Sequence, residues 1–341
     1  MPKHFMCAII GAGISGLAAA DRLRLSGHSV PLFDKSRGVG GRMATRRSDH
    51  GSFDHGAQYF TVRDGRFAAQ VDRWEKAGIV GRWEKPIVTL SHTVEMIEKP
   101  GRRMVAVPGM SAIPKAMAGA HDIRLSVVVS TLSRTKEGLA LTSSDDEPLG
   151  VFDRVIVTVP PVQAVPLLQQ APDLAVHAKL TEMDPCWTLM ATFPNPIGVA
   201  FGGALMRIPS TAGGNALAWV ARDGSKPGRE ASDEGGAETW VMQATPHWSR
   251  DMIELESDVA CEQLLAAFHA VLKMLNLPST SPSHAVAHRW RYARPTASAP
   301  VPPIRYDFRS GIAIAGDWCR GPRVEDAYLS GLETAETVLA S

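Results

Sequence analysis

The run Phe5-Met6-Cys7-Ala8-Ile9-Ile10-Gly11-Ala12-Gly13-Ile14-Ser15-Gly16 sets an unbroken apolar stretch directly before a Gly-x-Gly-x-x-Gly turn. The apolar residues Phe5 to Ile10 read as a strand covered on both faces. From Ile14 the period changes: Ile14, Leu17, Ala18, Asp21 and Leu25 fall at i, i+3, i+4, i+7 and i+11. That spacing predicts a helix with an apolar stripe broken only at Asp21, and Gly27 is placed to stop it. A second strand is predicted over Ser29 to Phe33, running into Asp34. Pro31 inside it lacks a ladder donor and implies a bulge or an irregular pairing.

Each part of this run has a mechanical purpose. Gly11 permits a tight turn, Gly13 lets a pyrophosphate approach the backbone, and Gly16 lets the helix pack on the strand. The helix that starts at Ile14 offers free amides and a positive dipole end to phosphate. Asp34 lies 18 residues beyond Gly16, a suitable distance for a carboxylate that accepts from ribose hydroxyls. Strand, turn, helix, strand and acid in this order predict a Rossmann-type dinucleotide-binding unit.

A length of 341 residues suggests two domains. With 45% hydrophobic and 21% charged residues the composition excludes a disordered or fibrous chain. Lysine and arginine total 36 against 35 acids, so no global field attracts nucleic acid or anionic lipid, and any anion site is local. The longest apolar run, Phe5 to Ile10, is far shorter than the roughly 20 residues of a membrane span. A cytoplasmic protein with no membrane or nucleic-acid partner is expected, its oligomeric state open. Cys7, Cys186, Cys261 and Cys319 lie far apart without a Cys-x-x-Cys pair, which argues against disulfides and a zinc cage. Only His284 and His288 have ligand-like spacing, on a predicted strand from Ala285 to Tyr292, and no metal is expected. The polar, glycine-rich stretch from Ala221 to Gly236 reads as an exposed loop.

Ser36-Arg37-Gly38-Val39-Gly40-Gly41-Arg42 follows the acid, and Gly51-Ser52-Phe53-Asp54-His55-Gly56 comes soon after. These segments resemble the extended fingerprint of the glutathione-reductase-like flavoproteins that include the amine oxidases. The resemblance implies FAD as cofactor, with Arg42 reaching its pyrophosphate. A strand from Ile123 to Val129 would recognise adenine through Val129, with Val127 and Val128 as near equivalents. Val155 to Val159, ending at Pro160-Pro161, reads as a buried strand where the chain leaves the FAD domain. Ile312 to Ala315 reads as another, ending at Gly316-Asp317, and the resemblance puts Asp317 on the ribityl chain. Val324, Ala327, Tyr328, Gly331, Ala335, Val338 and Leu339 form a helical stripe, and the amide of Val324 would meet the flavin pyrimidine. Cys319 sits near the place of covalent flavin attachment in some relatives but in a different motif, so non-covalent FAD is expected. The implied fold is α/β: a Rossmann-type FAD-binding domain from residues 1–62, 105–165 and 296–341, with an inserted α+β substrate domain from 63–104 and 166–295.

Further segments span the chain: Phe33-Asp34-Lys35-Ser36-Arg37-Gly38, Gly56-Ala57-Gln58-Tyr59-Phe60-Thr61, Pro108-Gly109-Met110-Ser111-Ala112-Ile113, Asp184-Pro185-Cys186-Trp187, His288-Arg289-Trp290-Arg291-Tyr292-Ala293-Arg294-Pro295 and Gly316-Asp317-Trp318-Cys319. Together they resemble the bacterial branch of renalase. That resemblance implies an oxidase that converts 2- and 6-dihydro isomers of NAD(P) to β-NAD(P)+ by hydride transfer to flavin N5, with O2 as acceptor giving H2O2. Expelling a hydride from a dihydropyridine leaves an aromatic cation, so no catalytic base is required. The site then needs ring alignment, for which Tyr59, Trp187, Trp290 and Trp318 are candidate clamps, Trp318 foremost because it follows Asp317. Gln58 and Tyr59 follow the turn expected beside the flavin, Phe60 and Thr61 continue toward the substrate, and Arg63 could meet a substrate phosphate. Arg102, Arg103, Arg289, Arg291 and Arg294 are further phosphate candidates. A flavin amine oxidase acting on a primary or secondary amine stays open as the alternative.

Overall fold

The computed structural model describes residues 5–91, 94–96, 102–207, 216–229, 236–296, 301–302 and 304–341. The opening run forms the strand Cys7–Ile10, the glycine turn and the helix Ile14–Leu25. The strand lies at the centre of a six-stranded sheet in the order Tyr306–Asp307, Ile312–Ile314, Arg154–Val157, Cys7–Ile10, Leu32–Asp34, Ile123–Leu125. All its pairings are parallel except that of Tyr306–Asp307 at one edge. Burial on both faces explains the continuous apolar runs in Cys7–Ile10 and Ile312–Ile314.

Four local readings are corrected. The second strand is Leu32–Asp34, so Pro31 precedes it; the proline costs no ladder donor, and its carbonyl accepts from Ile9 N–H at 3.0 Å. Ile123 to Val129 is not one strand. It breaks after Leu125, where Ser126 takes a φ of 58° and its N–H turns to the carbonyl of Ser36, and Val129–Arg134 begins a separate three-stranded antiparallel sheet. Leu25, assigned to the apolar stripe, is exposed, while Ser15, Gly16, Ala19 and Ala20, outside the stripe, are buried along with Ile14, Leu17 and Ala18. The cause is the helix Val324–Leu339, which crosses so closely that a Cβ on Gly331 would lie 2.0 Å from the Ser15 carbonyl oxygen. The stretch from Ala221 to Gly236 is no simple exposed loop. It begins at the end of the strand Leu217–Arg222, passes through the short 3-10 turn Asp223–Ser225, and buries Asp223 and Lys226 completely; residues 230–235 lie outside the described ones.

A second sheet of seven strands runs in the order His284–Pro295, Met183–Phe193, Glu238–Ala244, Leu217–Arg222, Gly203–Met206, Ile87–Leu90, Val94–Met96. It is antiparallel apart from the pair Gly203–Met206 and Ile87–Leu90. The helix Ser257–Met274 covers it with Leu264, Phe268, Val271 and Leu272. The α/β class is thus a Rossmann-type parallel sheet joined to a mainly antiparallel one. No described helix is long and apolar enough to cross a membrane.

Candidate functional site

The carboxyl ends of the parallel strands, where α/β sheets bind ligands, open into a cavity of 1180 Å³ that the seven-stranded sheet closes on the far side. Ordinary small-molecule pockets measure roughly 300–1,000 Å³, so there is room for a dinucleotide with a second molecule. Gly11, Gly13, Ile14, Asp34, Arg42, Gln58, Tyr59, Val129, Asp317 and Val324 all line it. Gly16 does not, because it faces the turn, where a Cβ would sit 2.0 Å from the Gly11 carbonyl oxygen.

The cradle fits a dinucleotide on structural grounds. A Cβ placed on Gly13 would meet no atom within 4 Å, which leaves open space directly over the first turn of the helix Ile14–Leu25. Asp34 is held by the amides of Ala12, which donates to Oδ2 at 2.7 Å, and Ser36, which donates to Oδ1 at 2.8 Å. That grip fixes a carboxylate at the cavity edge with lone pairs remaining for hydroxyl donors. Arg42 and Asp317 meet in a bidentate pair, and the helix Val324–Leu339 brings its N-terminus to the same wall through Val324. Asp326 Oδ2 accepts from the N–H of Arg323, which satisfies one orphan amide of that terminus.

The substrate-side expectations divide. Tyr59 lines the cavity, with Trp219 5.7 Å and Trp83 6.2 Å from its ring. Trp290 lines it too, its indole N–H donating to the His55 carbonyl at 2.9 Å. Arg289, Arg291 and Arg294 join it from the strand His284–Pro295. Seven others fall outside the lining. Phe60 is buried against Phe67 and exchanges main-chain bonds with Met104, Thr61 is half-buried away from the cavity, and Arg63 is exposed with its amide on Glu325. Trp187 is buried, its indole N–H given to the Met252 carbonyl at 2.9 Å. Trp318 turns into the core: its N–H donates to the Val159 carbonyl at 3.1 Å and its ring stacks on His177 at 5.4 Å. Position next to Asp317 does not bring the side chain along, because the 3-10 turn Asp317–Cys319 rotates it away. Arg102 pairs with Glu75 at the surface, and neither it nor Arg103 lines the cavity.

Other lining groups escaped the sequence reading. Trp219 and Gln243 face each other across adjacent antiparallel strands, and the side-chain amide of Gln243 donates to the Gly56 carbonyl at 2.7 Å. Trp219 gives its indole N–H to Oε1 of Gln58 at 3.4 Å. His288 and Tyr292 complete the wall from His284–Pro295. Alternation along the strands puts these residues on one face, but only the pairing register puts them beside Tyr59. His55 lies behind Trp290, its ring stacked on the indole at 5.0 Å. Burial above all, then His288 and Arg46, pushes its pKa down to about 4.

Comparison with known proteins agrees with this fold. Residues 9–74 match the model of the NAD(P)-binding Rossmann-like domain, and residues 74–339 match that of the flavin containing amine oxidoreductases. The 4,4'-diapophytoene desaturase (4,4'-diaponeurosporene-forming) of Staphylococcus haemolyticus (strain JCSC1435) is 47% identical over 57 residues, 17% of this chain. That stretch is 11% of the desaturase, so the chain matches only a small part of that protein's length. Cyclohexylamine oxidase from Brevibacterium oxydans IH-35A superposes with a TM-score of 0.75 over 99% of both chains at 14% identity. Wild-type putrescine oxidase bound to putrescine gives 0.71 at 15% identity, over 99% of this chain and 100% of its own. At such identities the two structures share the fold. The family match covers well over half of the sequence, and the chain belongs to the flavin containing amine oxidoreductases.

Proposed function

We propose that this chain is a renalase-like FAD-dependent oxidase that converts isomeric 2- and 6-dihydroNAD(P) to β-NAD(P)+, with O2 as acceptor giving H2O2. The charge of the cavity wall carries the reading. Among the described residues, Lys35, Arg42, Arg289, Arg291, Arg294 and Arg323 line it against only Asp34 and Asp317, and neither acid comes from the seven-stranded sheet. A wall with cations and no carboxylate on the substrate side favours a phosphate-bearing molecule and disfavours an ammonium. Arg289 and Arg291 share the exposed Glu254, and Arg294 is 3.5 Å from Asp184. A guanidinium has five N–H donors, so one carboxylate does not exhaust it.

In this reading Gly11, Gly13, Ile14 and Arg42 take the pyrophosphate, Asp34 the ribose, Val129 the adenine, Asp317 the ribityl chain and the amide of Val324 the pyrimidine. The domain division follows: 1–62, 105–165 and 296–341 hold FAD, and 63–104 with 166–295 hold the substrate. Attachment is non-covalent. Cys319 is buried outside the lining with its pKa raised well above the usual thiol value by burial, and burial pushes Cys186, which does line the cavity, up to about 11. Neither offers a thiolate near neutrality.

When bound, the flavin supplies a two-electron acceptor. The chain's own part is alignment: Tyr59, Trp219, Trp290 and Tyr292, which line the cavity, are the aromatic side chains to pack on a planar ring, and the arginines hold its phosphates. No wall residue has to change protonation, because the dihydropyridine loses a hydride and no proton. Anaerobic stopped-flow reduction with 2- and 6-dihydroNAD(P), β-NADH and a panel of primary amines tests the reading. Rapid bleaching by the dihydro isomers is expected. Bleaching by an amine, rising as its ammonium deprotonates, with no response to the isomers, would assign the chain to amine oxidation instead.

A further inference from the structure

Behind the cavity's aromatic wall lies a closed ring of four charges. Lys226 Nζ is 3.1 Å from Asp54 Oδ2 and 2.7 Å from Asp223 Oδ1, and Arg229 reaches both carboxylates from the other side. Lys226, Asp54 and Asp223 are fully buried and Arg229 nearly so. The ring is neutral, two cations against two anions, which is the condition under which such charges persist away from water. Burial alone would raise the Asp54 carboxyl; Lys226 and Arg229, with the Met110 amide and the Thr45 hydroxyl, outweigh it and hold the group below the ordinary carboxylate value. The sequence gives these residues no role in the proposed chemistry, and none of the four lines the cavity.

The ring is connected to the cavity by two routes. Through the first, the Asp54 carbonyl accepts from the side-chain amide of Gln58, whose Oε1 in turn accepts from the Trp219 indole at 3.4 Å. Through the second, Lys226 Nζ sits 5.3 Å from the centre of the Trp83 ring, within cation–π range. Trp83 packs 6.2 Å from Tyr59 and 6.3 Å from Trp219 and donates its N–H to Ser225, beside Lys226, at 3.0 Å. The first route ends on Trp219, the second on both Tyr59 and Trp219, whose rings lie 5.7 Å apart. The ring also joins distant stretches: Asp54 N–H donates to Asp223 Oδ2 at 3.1 Å, Met110 N–H to Asp54 Oδ1 at 2.9 Å, and Arg229 Nε to the Pro108 carbonyl at 3.0 Å.

We infer that the buried ring of Asp54, Lys226, Asp223 and Arg229 is a positioning device that sets the Tyr59–Trp219 wall against the reacting ring, with Lys226 as its pivotal positioning residue. Hydrophobic residues of equal volume would fill the same space without fixing orientation. Alternating charges accept only one arrangement, and that arrangement is passed on to two aromatic planes.

The test uses the FAD-loaded protein and the variant Lys226→Met, which keeps the length of the stem and removes the charge. Aromatic near-ultraviolet circular dichroism should change, and flavin reduction by 6-dihydroNAD at saturating concentration should slow by about 10- to 100-fold, with KM and FAD affinity changed less than about threefold. The double variant Lys226→Met/Asp223→Asn restores the ring's neutrality and should regain much of the dichroism and the rate. The rate measurement rests on the proposed function; the dichroism does not, so an inert wild type would overturn that reading alone and leave the dichroism of the two variants to decide this one. Unchanged dichroism and rate in Lys226→Met, or a loss that the double variant does not recover, would overturn the positioning role. Arg229→Gln opens the ring from its other side and serves where Lys226→Met does not fold. Failure of both to give folded holoprotein would assign the ring to holding the fold together and would equally overturn it.

Discussion

Arg42 and Asp317 hold one another by two parallel bonds, Nη1 to Oδ2 at 2.6 Å and Nη2 to Oδ1 at 2.8 Å, while Nη1 also reaches the Ala293 carbonyl at 3.1 Å. The guanidinium thus ties the turn after the six-stranded sheet's Ile312–Ile314 to the seven-stranded sheet's edge strand, at the cavity. Losing a charge-assisted bond costs about 1.5–3 kcal/mol, roughly one to two decades in affinity. Arg42→Ala should therefore be isolated largely without FAD and regain activity when FAD is added. Fluorescence titration of the apoprotein with FAD measures the loss; full occupancy with lost activity would place Arg42 at the substrate instead.

Gly13 and Gly16 share a turn but should fail differently. Gly13 has a φ of −74° and empty space where a Cβ would go, so Gly13→Ala should leave the thermal midpoint of the apoprotein unchanged and lower FAD content. Gly16→Ala would press its methyl group to 2.0 Å from the Gly11 carbonyl oxygen. Overpacking of that kind costs about 1–3 kcal/mol, and a lower midpoint with or without FAD should follow. Full FAD retention by Gly13→Ala would show that no phosphate lies over that turn.

The lining contributed by the six-stranded sheet and its turns was legible because its parts are local. A glycine turn, the strand before it and the helix after it are decided by neighbours in the chain, and Asp34, Arg42, Asp317 and Val324 reach the lining from the ends of such elements. The lining contributed by the seven-stranded sheet is decided by register. Trp219 meets Gln243 through antiparallel pairing, and no periodicity in either strand announces that contact. Charge misled in the stretch that starts at Ala221. Acid, lysine and glycine there read as solvent-facing, yet Lys226 is buried between two carboxylates, the local Asp223 and Asp54, 172 residues earlier. Adjacency misled at Trp318, where one residue of separation from Asp317 coincides with a reversal of side-chain direction.

Stability should fall on mild acidification, and His55 should be a main cause. Its folded-state pKa of about 4 lies below the ordinary histidine value near 6.5. Between those two values the unfolded chain binds the proton and the folded chain does not, so the stability present above about pH 6.5 is lost as pH falls toward 4. The shift corresponds to about 3 kcal/mol. Urea midpoints measured from pH 7.5 to 4.5 check this, and His55→Gln should flatten the decline across that window. An equal slope in the variant would put the proton uptake elsewhere.

Trp318 and Trp219 separate core packing from alignment. Trp318 is buried, bonded to the Val159 carbonyl and stacked on His177, whose pKa is itself lowered by burial. Trp318→Ala would leave a void in that core at a cost of about 3–5 kcal/mol, whereas Trp318→Phe keeps most of the volume and loses one hydrogen bond, about 1 kcal/mol. Trp318→Phe should therefore lower the urea midpoint slightly and leave the rate of flavin reduction by dihydropyridine isomers as it is. Trp219 lines the cavity and gives its indole N–H to Gln58. Trp219→Phe loses the bond that sets the indole plane, so reduction at saturating substrate should slow by about tenfold or more, because ring alignment acts on the transition state more than on binding. Stopped-flow reduction and urea unfolding of both variants decide between the two tryptophans. A slow Trp318→Phe beside an unimpaired Trp219→Phe would return the alignment role to the residue that follows Asp317.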